Sequence, residues 1–120
     1  MGRFQGDLPE RTYQFARVIV RIVRAMPPGN EAWVIGRQLL KSGTAIGSNV
    51  SEADMALTKR EFTSFCNIAR REANETRYWL RLCRDEQILD DEAASPAIAT
   101  AEEFQRILAT IVRKTRSEDG

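Results

Sequence analysis

Apolar positions recur along this chain at intervals of three and four and never alternate over a useful length, so the sequence predicts helices and no strands. Four segments carry the pattern, over about 8–26, 31–55, 59–86 and 96–116. In the first, Phe15, Ile19, Ile22 and Met26 form the apolar face, flanked by Ala16, Val20 and Val23. Asp7 is placed to cap it, Pro9 suits the first turn, Glu10 has capping-box spacing, and Pro27-Pro28-Gly29 ends it. Asn30 is expected to cap the second, whose buried stripe is Ile35, Leu39, Ser42, Ile46, Asn49, Val50 and Ala53. Thr58-Lys59-Arg60-Glu61 is a capping box for the third, with Phe62, Phe65, Ala69, Ala73, Thr76, Leu80 and Cys83 facing inward. The acidic segment 85–92 precedes the fourth, which restarts at Ser95-Pro96 and turns Ala97, Ala101, Phe104, Leu108, Ile111 and Thr115 inward. Residues Ser117 to Gly120 are expected to fray. Short connections between amphipathic helices imply an all-α, antiparallel up-down-up-down four-helix bundle, a single domain over residues 1–120.

The second helix carries another pattern about 90° round from its core stripe, made of Gly36, Leu40, Gly43 and Gly47. Each glycine costs up to about 1 kcal/mol against alanine in a helix, so close approach of another helix has to offset it. Ala69 and Ala73 mark the third helix as the partner. Asn49, with Glu52 one turn on, is a polar residue on the buried stripe that can set register between helices. Beside the core face of the third helix lies a second stripe, Ile68, Glu72, Glu75, Trp79 and Leu82. It is apolar enough for a subunit interface, unless a loop or the fourth helix covers it.

Composition changes little in this picture: 120 residues, 42% hydrophobic and 29% charged, suit one globular domain. The longest apolar run, Val18 to Val23, is broken by Arg21 and is far below the ~20 residues of a membrane span. Residues 1–6 lack the apolar core of a signal peptide, which points to a cytoplasmic protein without membrane association. There is no histidine, which removes catalytic triads, zinc–histidine sites and di-iron Glu-x-x-His ligands. A carboxylate cluster from Glu52, Glu72 and Glu75 lacks metal-loop spacing, so neither metal, cofactor nor catalytic residue is expected. Cys66 and Cys83 stand about 25 Å apart along one helix and read as small buried hydrophobes.

Charge is more informative than its net value of +1. Residues 1–60 hold nine basic and five acidic side chains, while 85–103 hold seven acids and no base, so one end of the bundle is expected to be acidic. Arg17, Arg21 and Arg24 form a stripe on the first helix. Arg70, Arg77, Arg81 and Arg84 share one side of the third, and Arg113, Lys114 and Arg116 cluster at the end of the fourth. Such stripes either contact phosphates or form a solvated surface of ordinary pairs, such as Arg71 with Glu75 and Arg81 with Asp85.

Three segments carry a resemblance: Arg11-Thr12-Tyr13-Gln14-Phe15-Ala16, the run from Gly36-Arg37-Gln38-Leu39 through Ile46-Gly47-Ser48-Asn49-Val50-Ser51-Glu52-Ala53, and Glu72-Ala73-Asn74-Glu75-Thr76-Arg77-Tyr78-Trp79-Leu80. In order and spacing they resemble the bacterial four-helix bundle protein family, also called the ribosomal RNA intervening-sequence protein family because some members are encoded within insertions of the large-subunit rRNA gene. The likeness runs from about Asp7 to Leu89. It implies a four-helix bundle, a ring-shaped homopentamer and no enzymatic activity. The family also includes the accessory variability determinant of diversity-generating retroelements, a basic ring that binds nucleic acid and a reverse transcriptase. Ser48, Asn49, Glu52 and Glu75 then look like a packing motif between the second and third helices. The expected function is that of a non-enzymatic homo-oligomeric accessory protein that meets RNA or DNA through its arginines. The alternative is a scaffold that holds a partner protein and no nucleic acid.

Overall fold

The computed structural model describes residues 2–119, without the side chain of Asp119. Four helices, α1 (Leu8–Arg24), α2 (Asn30–Asp54), α3 (Lys59–Asp85) and α4 (Asp91–Asp119), pack each against the next in sequence. Contacts between α1 and α4 close the square, and the bundle measures 47 × 24 × 22 Å. Ile19, Leu39, Ile46, Val50, Leu80, Phe104 and Leu108 fill its centre. Among the described residues no helix is long and apolar enough to cross a membrane.

The helix ends follow local chemistry that differs in places from the expectation. Asp7 precedes α1 without a side-chain cap; Pro9 stands in the first turn, where its missing N–H leaves one donor fewer to satisfy. Asn30 is the first residue of α2 rather than its cap, because Gly29 turns the chain at φ +141°, a conformation that favours glycine. Thr58 caps α3, its hydroxyl accepting from the Glu61 amide at 3.1 Å. That helix stops in a Schellman turn, with Ile88 N–H donating to Cys83 O and Gln87 N–H to Arg84 O. Gln87 occupies the left-handed position at φ 60°, usually a glycine's.

The start of α4 is a correction: it begins at Asp91, and Pro96 lies inside it. Asp90 caps this helix through its carboxylate, which accepts from the Ala93 amide at 2.8 Å. Pro96 forfeits one backbone bond at an exposed position near the helix start, where the loss is smallest. At the other end, α4 continues through Ser117 and Glu118, where fraying was expected, and Lys59 pairs with Glu118 at 2.7 Å. Gly120 lies outside the described residues. The N-terminal segment is also docked: Arg3 and Phe4 amides donate to the Asp54 backbone and carboxylate, both at 2.8 Å, and Phe4 packs on Phe62 at 5.2 Å. Phe62 therefore supports this segment while Thr63 and Cys66 turn to the centre.

The glycine stripe of α2 faces α1, not α3. A Cβ at Gly43 would stand 2.7 Å from Ile19 Cγ2, one at Gly47 3.0 Å from the Thr12 carbonyl oxygen, and one at Gly36 3.1 Å from Met26 Sδ. Glycines opposite alanines would leave a void, whereas glycines opposite Ile19 let a branched side chain fill the space at interior density. Between α2 and α3 the polar contact is Ser42–Thr76: the Thr76 hydroxyl donates to Ser42 Oγ at 3.0 Å, sharing its proton with the Glu72 carbonyl, and the Ser42 hydroxyl donates to Leu39 O. Asn49 makes no such bridge, because its amide donates to Ala45 O of its own helix at 2.8 Å.

Two predictions follow from this packing. Replacing Gly43 with alanine is expected to lower stability by about 1–2 kcal/mol despite the better helix propensity, because Ile19 is branched at Cβ and cannot swing aside. Urea unfolding measures this, and adding Ile19→Ala should make the Gly43→Ala change less costly than it is alone. Burial pushes the Cys66 thiol up from 9.0 to about 12 and Cys83 to about 11. Both should resist an aromatic disulfide reagent at pH 8 until urea unfolds the chain. Since the unfolded thiols ionise first, their contribution to stability is full below pH 9 and falls as pH rises through the folded values.

Candidate nucleic-acid interface

Because α1 beds closely on α2, the outward faces of these two helices form one surface. Tyr13, Ala16, Arg17, Val20, Arg21 and Arg24 line a shallow depression along α1. Next to it, α2 contributes Trp33, Arg37 and Leu40 to a groove of about 600 Å³ whose remaining walls are Val23, Met26, the Pro27-Pro28-Gly29 turn, Asn30, Ala32 and Gly36. The Arg37 guanidinium carbon sits 4.8 Å from the Trp33 ring centre. Arg17 donates to Gln14 at 3.1 Å, and among the described residues none of Arg17, Arg21, Arg24 and Arg37 forms an ion pair. From residue 11 to residue 51 the chain holds six bases and a single acid, Glu31.

The arginines of α3 and α4 lie elsewhere. Since the helices neighbour one another in sequence order, the α1–α2 face and the α3–α4 face are opposite sides of the bundle. Arg77 is tied to Glu102 of α4 at 2.7 Å, and Arg84 pairs with Asp85 at 3.1 Å, taking the acid that spacing had offered to Arg81. Arg70 donates to Asn67 at 2.9 Å, and Arg113 to Thr110 at 3.3 Å. Arg81, Lys114 and Arg116 remain exposed. The ten basic residues singled out from the sequence thus divide between two surfaces, and on the second the arginine charge is partly balanced. One further pair, Arg11 with Glu103 at 2.6 Å, joins α1 to α4, and the guanidinium holds the Glu103 carboxyl below its ordinary pKa. Sequence reasoning missed Trp33, Arg37 and Tyr13 as members of the first surface. For Trp33 and Tyr13 the signal was a bulky aromatic side chain outside every core stripe, and Arg37 follows Trp33 by one helical turn.

The stripe on α3 beside α2 is mixed. Ile68 is 38% exposed, whereas Trp79 packs against the core and its ring N–H donates to Glu75 at 3.3 Å. Tyr78 meets Trp79 edge-on with centroids 5.0 Å apart. Glu72 is half-buried; burial first and the charge of Glu75 second push its carboxyl above the ordinary pKa, while Lys41 and Arg71 pull it back. Leu82 is half-buried and Glu52 exposed.

Fold and surface together define a helical bundle whose distinguishing features lie on its outside. The chain belongs to the 23S rRNA-intervening sequence protein family, whose model matches residues 7–110. It is also similar to a crystal structure, at 1.70 Å, of a protein of unknown function from the S23 ribosomal protein family of Bacteroides thetaiotaomicron VPI-5482. The two share 32% identity and a TM-score of 0.80 over 87% of this chain and 96% of that one. Comparison with curated proteins finds no match.

Proposed function

We propose that this protein is a non-enzymatic, homo-oligomeric accessory that holds RNA or DNA by its phosphates, using the α1–α2 face. The supporting observation is the row Arg17, Arg21, Arg24 and Arg37, cations without acidic partners on one surface. Guanidinium groups donate in a planar fork that suits phosphate oxygens, and the contact carries no sequence information. A reverse transcriptase or another nucleic-acid enzyme is the kind of partner such an accessory would serve in the cytoplasm. The oligomer, a pentameric ring by family resemblance, would use the α2–α3 stripe, where Ile68 is exposed beside the half-buried Glu72 and Trp79.

Binding to a fluorescent oligonucleotide, titrated at several salt concentrations, tests the phosphate contacts. Affinity should fall steeply with salt, and Arg17→Ala or Arg24→Ala should each weaken it and reduce the log–log slope by about 0.7–0.9. Arg77→Ala should change affinity less, because that side chain is already held by Glu102. No binding at low salt would leave the partner-protein scaffold as the better account.

Light scattering tests the interface. An Ile68→Asp variant should keep its helical content and yield smaller particles, since this side chain contributes apolar surface without sitting in the core. Unchanged mass with a folded chain would remove the stripe from the assembly.

A further inference from the structure

The α1–α2 face carries more than cations. Trp33 is 63% exposed and Tyr13 57% exposed, unusually open positions for large aromatic side chains. Gly47 packs beside the start of Tyr13, so Tyr13 and Trp33 are separated along the helix axis by about 14 residues of α2, or about 21 Å. Arg17, Val20, Arg21 and Arg24 on α1 and Arg37 and Leu40 on α2 lie on this face between them.

We infer that this face binds single-stranded nucleic acid, stacking bases on Trp33 and Tyr13 while the arginines follow the phosphates. The inference rests on the phosphate-binding reading above and names its ligand more closely. A duplex presents phosphates but keeps the faces of its bases inside the stack, leaving exposed aromatic rings without partners. A single strand presents anionic oxygens and flat apolar rings at short intervals, and alternation of cations with aromatic platforms is how such strands are held without sequence preference. The apolar groove supplies the second half of the match. Its approximately 600 Å³ beside Trp33 admits a base, with Pro27, Pro28, Met26 and Leu40 as apolar walls and Arg37 at the rim for the adjoining phosphate. Arg37 already packs against the indole, which fixes the ring and directs the guanidinium beside it. An apolar protein segment would also fit the groove, but it would leave four unpaired guanidinium groups with nothing to neutralise.

The test uses the full chain in a Trp79→Phe background, where Trp33 is the remaining tryptophan. Its fluorescence is followed while oligo(dT) of about twenty nucleotides, or a duplex of equal length, is added at low and physiological salt. The single strand should quench Trp33 and bind more tightly than the duplex. Measured instead by the anisotropy of a dye-labelled oligonucleotide with Trp79 retained, Trp33→Ala and Tyr13→Ala, both exposed and hence compatible with folding, should each weaken single-strand binding by about fivefold or more and leave duplex binding nearly unchanged. Equal affinity for strand and duplex, with neither variant having an effect, would overturn the stacking role while leaving the phosphate contacts standing. A Trp33→Ala change that alters particle mass and not oligonucleotide affinity would mean that protein covers the groove. Absence of binding to either probe at low salt would remove both readings.

Discussion

Everything distinctive about this bundle depends on the bed that α2 offers to α1. Gly36, Gly43 and Gly47 stand one or two helical turns apart, and opposite them lie Met26, Ile19 and the backbone of Thr12. A side chain at Gly47 would press on a carbonyl oxygen, which cannot rotate away, so the approach is set by main chain and not by adaptable side chains. Two consequences follow. Residues on the outer flanks of α1 and α2 become neighbours on one continuous surface, and α1 is left with far less contact to α4 than to α2. Phe15 meets Phe104 edge-on at 5.5 Å, and the Arg11–Glu103 pair reinforces that edge, but a groove of about 450 Å³ remains between the helices.

The periodicity of apolar residues carried the helices and their inward faces, because an amphipathic stripe reports its own direction. It could not say which neighbour a flanking stripe meets. The glycines announce a close contact, yet the angle between stripe and core is the same whether the visitor is α1 or α3. Deciding it requires knowing that Ile19 fills the space and that Ala69 and Ala73 serve other parts of the core. Polar residues were equally ambiguous: Asn49 had the obvious position for a bridge and bonds within its own helix, whereas Ser42 and Thr76, small enough to be passed over, make the contact across. The beginning of α4 was hidden for another reason. Ser-Pro is a strong start signal, but Asp90 supplies an earlier cap, and a proline six residues into an exposed helix start costs too little to override it.

Net charge concealed the candidate surface just as periodicity concealed the packing. A value of +1 averages the stretch from residue 11 to residue 51, where Glu31 is the single acid among six bases, with an acidic segment that opens α4. Folding does not mix the two: Glu102 and Glu103 are taken by Arg77 and Arg11, and among the described residues no acid pairs with Arg17, Arg21, Arg24 or Arg37. Ion pairs as exposed as these contribute little to stability. Their effect is on distribution, since they lower the free positive charge on the α3–α4 side and along the α1–α4 edge and leave it undiminished on the opposite face.

A closed ring places a further demand on the surfaces. Unlike a two-fold dimer, it is built from a heterologous contact, in which one face of each subunit meets a different face of the next. The α2–α3 stripe proposed for assembly supplies one of the two. If the α1–α2 face is to remain open for nucleic acid, the second must come from the α3–α4 or α4–α1 side. The α4–α1 side is the one lying opposite the stripe, and it is where a groove lined by the exposed Val18 and the edges of the buried Phe15 and Phe104 runs between the two helices. The glycines of α2 would then govern assembly as well as recognition: by drawing α1 towards α2 they bring the arginines and aromatic rings together on one face and open the α4–α1 groove on the next.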